Sequence, residues 1–249
     1  LGQQSLTAFG VSPKVEIGID QTRFGHSAQG LRVHVVGSHT PAPGEVGAAV
    51  TASVGDELLD TWPTNASGVI DHWVNIPDRL LQRYTPLSIG VSTTGKTGGC
   101  QEFSPISLTI KPNSVVESSV ANPPIPPGFG SLPQALMPRV KVGIGSDAFM
   151  DTVRATQIMT GLQRLSAVPL QTEVMPFQTA LNSKEPAVLI SANGWSDNSI
   201  ALPVAANERR ITVEGPGPGD DKVTLTLDPG VAFGSLQVVF DGQRSLLIA

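Results

Sequence analysis

Cysteine is almost missing from this sequence. There is one, Cys100, in 249 residues, so no internal disulfide can form. A lone thiol leaves the redox compartment open, and a small buried hydrophobe is its commonest role. Aromatic residues make up 5% and charged residues 15%, with 16 Lys and Arg against 21 Asp and Glu. A net charge of −5 without a basic run speaks against nucleic acid as a partner. No stretch approaches the ~20 consecutive apolar residues that a membrane helix needs. Glycine and proline, 26 and 21, are plentiful instead. That balance favours many short elements joined by turns, in a chain long enough for a full core.

The first half alternates with period two, the mark of strands with one buried face. "LRVHVVG" (Leu31 to Gly37) sets Leu31, Val33 and Val35 on one side. "VIDHWVNI" (Val69 to Ile76) opposes Ile70, His72, Val74 and Ile76 to Val69, Asp71, Trp73 and Asn75, and "PISLTI" (Pro105 to Ile110) behaves alike. Gly, Pro, Asn and Ser clusters separate these runs at short spacing, as in an antiparallel sandwich. "PDRLLQRY" reads as one helical turn opened by Pro77.

The composition then shifts. Asn122 to Pro138 holds six prolines, which predicts an extended, semi-rigid linker. Beyond it, "RVKVGIG" (Arg139 to Gly145) is a strand, followed by a helix with Ser146 as cap, Asp147 and Asp151 in the first turn, and an apolar stripe of Ala155, Ile158, Met159, Leu162 and Leu165. "LQTEVM" and the apolar "AVLISA" follow as strands, the grammar of a parallel sheet. "KVTLTLD" alternates, and Asp241-Gly242 between two apolar runs predicts a hairpin. The expected division is a β-sandwich over 1–121, a linker over 122–138 and an α/β domain over 139–249. The start at Leu1 reads as a fragment or processed form, and the apolar ending as a domain cut short at its C-terminus, its natural continuation being a helix.

One stretch imitates a familiar motif. Gly90, Gly95, Lys96 and Thr97 in "GVSTTGKTGG" match the phosphate-cradling G-x-x-x-x-G-K-T. That motif must open a helix, whereas here Gly98, Gly99 and Pro105 lead into another strand, so a loop between strands is the reading preferred. "GIGS" after Arg139 lacks the full dinucleotide pattern and reads as a turn. His26, His34, His39 and His72 come without carboxylates or cysteine at zinc spacing, and read as surface or strand-face residues. No nucleophile elbow or Ser/His/Asp set stands out, and Asp56/Glu57 and Asp220/Asp221 sit in turn-like contexts. No catalytic residue, cofactor or metal is assigned.

The binding candidates are tryptophans. Trp195 lies in "SANGWSDNS", a polar loop just after an apolar strand, where α/β folds place ligands. Its ring, with Asn193 and Asp197 for hydrogen bonds, suits a sugar; the alternative is a ring that caps the domain core or contacts the first domain. Trp73, between Asp71 and Asn75, faces outward or packs on the sandwich edge.

The order of pieces resembles the periplasmic regulatory subunit of bacterial cellulose synthase. "AAVTASVGDELLDTW" (Ala48 to Trp62) is similar to the family's strand, polar turn and strand. "VNIPDRLLQRYTPLSIGV" (Val74 to Val91) is similar to its Ile-Pro, helical turn and strand. "GGCQEFSPISLTI" (Gly98 to Ile110) resembles its last sandwich strand, and "FGSLPQALMPRVKVGI" (Phe129 to Ile144) its entry into the α/β part. The likeness covers most of Ala48 to Ala192. It implies a carbohydrate-binding-like sandwich followed by a flavodoxin-like α/β domain, without catalytic activity. It further implies an extracytoplasmic site, periplasm or cell envelope, with an inner-membrane anchor outside this stretch. The partners implied are a membrane glycosyltransferase resembling the cellulose synthase catalytic subunit, its glycan, or both. Two alternatives stay open: a protein-interaction scaffold that binds no sugar, and a flavin- or nucleotide-dependent enzyme.

Overall fold

The structure is a computed structural model that describes residues 4–41, 47–94, 105–145, 149–191, 195, 199–207, 210–216, 222–227 and 234–249. The chain divides into two compact units: Leu1–Gln21 with Ala28–Val120, and Thr22–Ser27 with Ala121–Ala249. The class is mixed, with antiparallel strands dominant and helices few.

Among the described residues the first unit holds nine strands: β1 (Leu6–Gly10), β2 (Lys14–Asp20), β3 (Ala28–His39), β4 (Gly47–Val54), β5 (Glu57–Pro63), β6 (Val69–Asn75), β7 (Tyr84–Thr94), β8 (Ile106–Ile110) and β9 (Val115–Val120). They form two antiparallel sheets. One runs β1-β8-β3-β6, with β9 also on β3; the other runs β2-β7-β4-β5. The period-two pattern is the cause. Leu31, Val33 and Val35 of β3, Ile70 and Val74 of β6, and Ile106, Leu108 and Ile110 of β8 are buried. Ile17, Ile19, Val50, Ala52, Leu87, Ile89 and Val91 are the buried row of the second sheet. Each large side chain of this kind stabilises the fold by ~1.5–3 kcal/mol on burial. A tight turn at Gly55, φ +57°, joins β4 to β5. The helical turn expected after Pro77 is a single 3-10 turn, Asp78–Leu80.

The second unit is built on a five-stranded sheet of order β11-β10-β12-β17-β16. β10 (Arg139–Ile144), β11 (Gln171–Pro176), β12 (Ala187–Leu189) and β17 (Ser245–Ile248) are parallel, and β16 (Gln237–Phe240) returns antiparallel to β17. Helix α1 (Phe149–Arg164) follows β10, and α2 (Phe177–Leu181) follows β11. The proposed cap Ser146 and Asp147 lie outside the described residues; Asp151 is buried and pairs with Arg154 at 3.2 Å. Two cores cover the two faces. Val140, Val142, Val188 and Leu247 pack with Ala155 and Leu162 of α1, whereas Leu189, Leu246 and Ile248 pack with Ala180 and Leu181 of α2. A strand covered on both faces must be apolar throughout, which explains the unbroken runs of β12 and β17. Gly143 belongs to β10 itself, not to a turn. A Cβ there would lie 2.8 Å from Ala180 Cβ and 2.9 Å from Leu189 Cδ2, so its bareness seats α2 on the sheet.

Two features differ from expectation. The proline-rich stretch 122–138 is not a free linker, for the second unit begins at Ala121. It folds into 3-10 turns at Gly128–Ser131 and Gln134–Leu136, and it places Leu132 and Leu136 in the α1-side core. Burial of those leucines overrides the extended preference of the prolines. The segment between β12 and β16 carries a separate antiparallel sheet, β13 (Val204–Asn207), β14 (Arg210–Pro216) and β15 (Lys222–Leu227). The side-chain amide of Gln237 holds its start, accepting from Val204 N at 2.8 Å and donating to Val204 O at 2.7 Å.

Candidate functional site

β3 and β6 each present one row of side chains to the core and one to solvent. Their register sets His34 opposite Trp73 and Val36 opposite Asp71. On the solvent side, β9 adds Glu117 opposite Arg32 and Val115 opposite His34. Three strands far apart in sequence thus converge on Trp73.

The ring of Trp73 is held from its neighbours. The His34 imidazole stacks on it at 4.7 Å between centroids, 11° from parallel. The guanidinium carbon of Arg32 lies 4.7 Å from the ring centroid, a cation–π contact. Each of these partners is itself fixed. Arg32 Nε donates to Glu117 Oε2 at 2.8 Å, and His34 Nε2 lies 2.6 Å from Asp71 Oδ1. Trp73 remains 38% exposed, a large aromatic surface already ordered before any ligand arrives. A ring ordered in advance loses little rotamer entropy on binding.

This sheet face also carries paired hydroxyls. Thr7 and Thr109 share a hydroxyl hydrogen bond at 3.0 Å, and Thr40 and Ser107 another at 2.7 Å. On the other row of β6, His72 stacks on Trp62 at 4.1 Å and meets Asp60 at 2.9 Å. Trp62 and His72 are half-buried, so this pair serves packing between β5 and β6.

Trp195 is placed differently. Its indole N–H donates to Ile200 O at 3.1 Å, and Phe177 meets its ring edge-on at 6.2 Å. It packs, half-buried, against the α2-side core. Its donor and part of its ring are therefore engaged within the second unit. Asn193 and Asp197 lie outside the described residues. Trp73 and Trp195 belong to separate units.

Gly90, which opens the G-x-x-x-x-G-K-T match, lies inside β7, paired with Lys14 on one side and Thr51 on the other. Gly95, Lys96, Thr97 and Cys100 lie outside the described residues. Among the described residues no group of three or more His, Cys, Asp or Glu is placed to hold a metal ion. In the second unit a groove of about 600 Å³ opens between α1 and the sheet, lined by Val142, Ala155, Met159, Leu170 and Val174 among others. Among the described residues no helix is long and apolar enough to cross a membrane.

The outward rows Arg32/His34 and Asp71/Trp73 were each legible from alternation. Their meeting was not, because it depends on the pairing of strands about forty positions apart. Comparison of the sequence with protein-family models and with curated proteins finds no match.

Proposed function

We propose that this chain is a non-catalytic, glycan-associated module of the cell envelope, in which the first unit binds a carbohydrate chain on the face around Trp73. The single observation that carries this reading is the preordered Trp73 ring, flanked by the fixed polar pairs Arg32–Glu117 and His34–Asp71 on an open sheet face. Sugars are bound in this way, with C–H faces against an aromatic ring and hydroxyls on planar donors and acceptors.

In this reading the first unit is a carbohydrate-binding-like sandwich and the second a flavodoxin-like domain. The β11-β10-β12-β17 order and the placing of α1 and α2 on opposite faces support the latter. The antiparallel excursion β13–β15 then stands where a doubly wound sheet carries a helix. The pairing of two such units, as in the regulatory subunit of bacterial cellulose synthase, supports a role beside a membrane glycosyltransferase, outside the cytoplasm.

Calorimetric titration with soluble β-glucan oligosaccharides tests the reading. Saturable heat that is lost in Trp73→Ala and kept in Trp195→Phe supports it. No heat with any sugar refutes the glycan role and leaves a protein-binding scaffold.

A further inference from the structure

We infer that the sugar site is a track, not a point: an extended, uncharged oligosaccharide crosses the outer face of the β1-β8-β3-β6 sheet obliquely, from Trp73 to Phe9. This rests on the glycan reading of Trp73 given above. Phe9 is 73% exposed on β1. It stands opposite Ser107 of β8, and its neighbour Thr7 bonds the outward hydroxyl of Thr109. Phe9 therefore shares the face that carries Trp73.

Register measures the gap. Three strand steps separate β1 from β6, about 14 Å at the usual strand spacing. Ser107 lies level with Thr40, joined by backbone and hydroxyl hydrogen bonds. Trp73 lies level with His34. Thr40 and His34 are six positions apart, about 20 Å along the strand. The two rings thus stand about 25 Å apart on the diagonal. One or two sugar rings cannot touch both, and a short linear oligosaccharide can.

The surface between them defines the ligand's chemistry. Val36 and Ser38 of β3, Thr109 and Ser107 of β8, and Thr7 of β1 lie along the path without charge; Lys111, one residue past β8 and bonded through its backbone N–H to Val36 O, is the exposed cation beside them. At the Trp73 end Arg32 is paired with Glu117, and the Asp71 carboxylate lies within hydrogen-bond distance of His34 Nε2. Hydroxyls meeting hydroxyls, with an aromatic ring at each end, fit a neutral unbranched glycan better than an acidic one. Binding then depends little on salt, since no ion pair forms with the ligand.

Calorimetry on the full chain, with a β-linked glucose disaccharide and hexasaccharide at low and high salt, reads the track directly. The hexasaccharide is expected to bind about tenfold more tightly or better, the worth of one further ring contact, at both salt concentrations. Phe9→Ala removes that gain and leaves disaccharide affinity unchanged. Ser38→Arg, which obstructs the path one step further from the Trp73 end, opposite Thr109, does the same. Equal affinity for the two sugars, or a hexasaccharide advantage that survives both variants, overturns the track while the Trp73 site stands. A salt-sensitive preference for an acidic oligosaccharide overturns the neutral ligand. No binding of any sugar removes the glycan reading itself.

Discussion

Arg244 offers the sharpest test of how the second unit is held. It closes the β16–β17 turn, with its side chain 4% exposed. Its guanidinium donates to Ala180 O at 3.0 Å and Leu181 O at 2.5 Å, carbonyls at the C-terminal end of α2. It also donates to Glu185 O at 2.9 Å and to Asp241 Oδ2 at 3.1 Å. One residue thus caps a helix, ties the loop before β12 and neutralises a carboxylate. Arg244→Met keeps the apolar stem and deletes all four bonds. The three carbonyls lose their charged donor and Asp241 its counter-charge. Breaking such a buried pair costs about 3–5 kcal/mol. With a urea slope of about 1–3 kcal/mol/M, the midpoint falls by roughly 1–5 M. Trp195 sits in the same unit and reports on it, so the assay is urea unfolding by fluorescence with Trp62 and Trp73 replaced by Phe. Arg244→Lys keeps the charge, but one ammonium cannot reach four acceptors, so an intermediate loss is expected. A midpoint shift below about 0.5 M for Arg244→Met, or equal losses for Met and Lys, refutes the reasoning.

Other expectations follow from the same geometry. Burial alone would raise the Asp241 carboxyl, but the backbone N–H groups of Arg244 and Gln243 and the Arg244 guanidinium outweigh it and hold the carboxyl below its ordinary 3.8. A carboxylate depressed on folding stabilises above its unfolded pKa, and that stability is lost as pH falls below about 4 and through the folded value. Acid titration of unfolding should therefore show a loss in the wild type that is blunted in Asp241→Asn. Gly143→Ala forces a Cβ against α2 and should cost about 1–3 kcal/mol, read as a lower urea midpoint of the second unit. Gly37→Ala, whose Cβ would fall 2.4 Å from Thr109 O, should destabilise the first unit by a similar ~1–3 kcal/mol and loosen the β3–β8 seam, seen as faster amide exchange there. Trp195→Phe loses one hydrogen bond and should cost about 1 kcal/mol in thermal unfolding without changing sugar affinity.

Which face of each strand points inward was already written in the local pattern. Alternation in β3, β6, β8 and β10, the unbroken apolar runs of β12 and β17, the stripe of α1 and the Asp241-Gly242 turn are local signals, set by side-chain period and turn chemistry. The mixed class followed from them, and the pattern left Trp73, in one row with Asp71 and Asn75, either outward or on the sandwich edge. The division of labour between the tryptophans did not. Trp195 lies in a polar stretch, yet Phe177 and Ile200 draw it onto the core, a contact no local pattern encodes. The proline-rich segment read as linker because prolines favour extended chain, whereas burial of Leu132 and Leu136 depends on the apolar sheet face beneath them. The β13–β15 excursion and the capping role of Arg244 were equally silent. Register alone brings Arg32 and His34 of one strand, Trp73 of a second and Glu117 of a third into a single site. No local segment carries that register, because pairing between distant strands depends on the whole core closing at once.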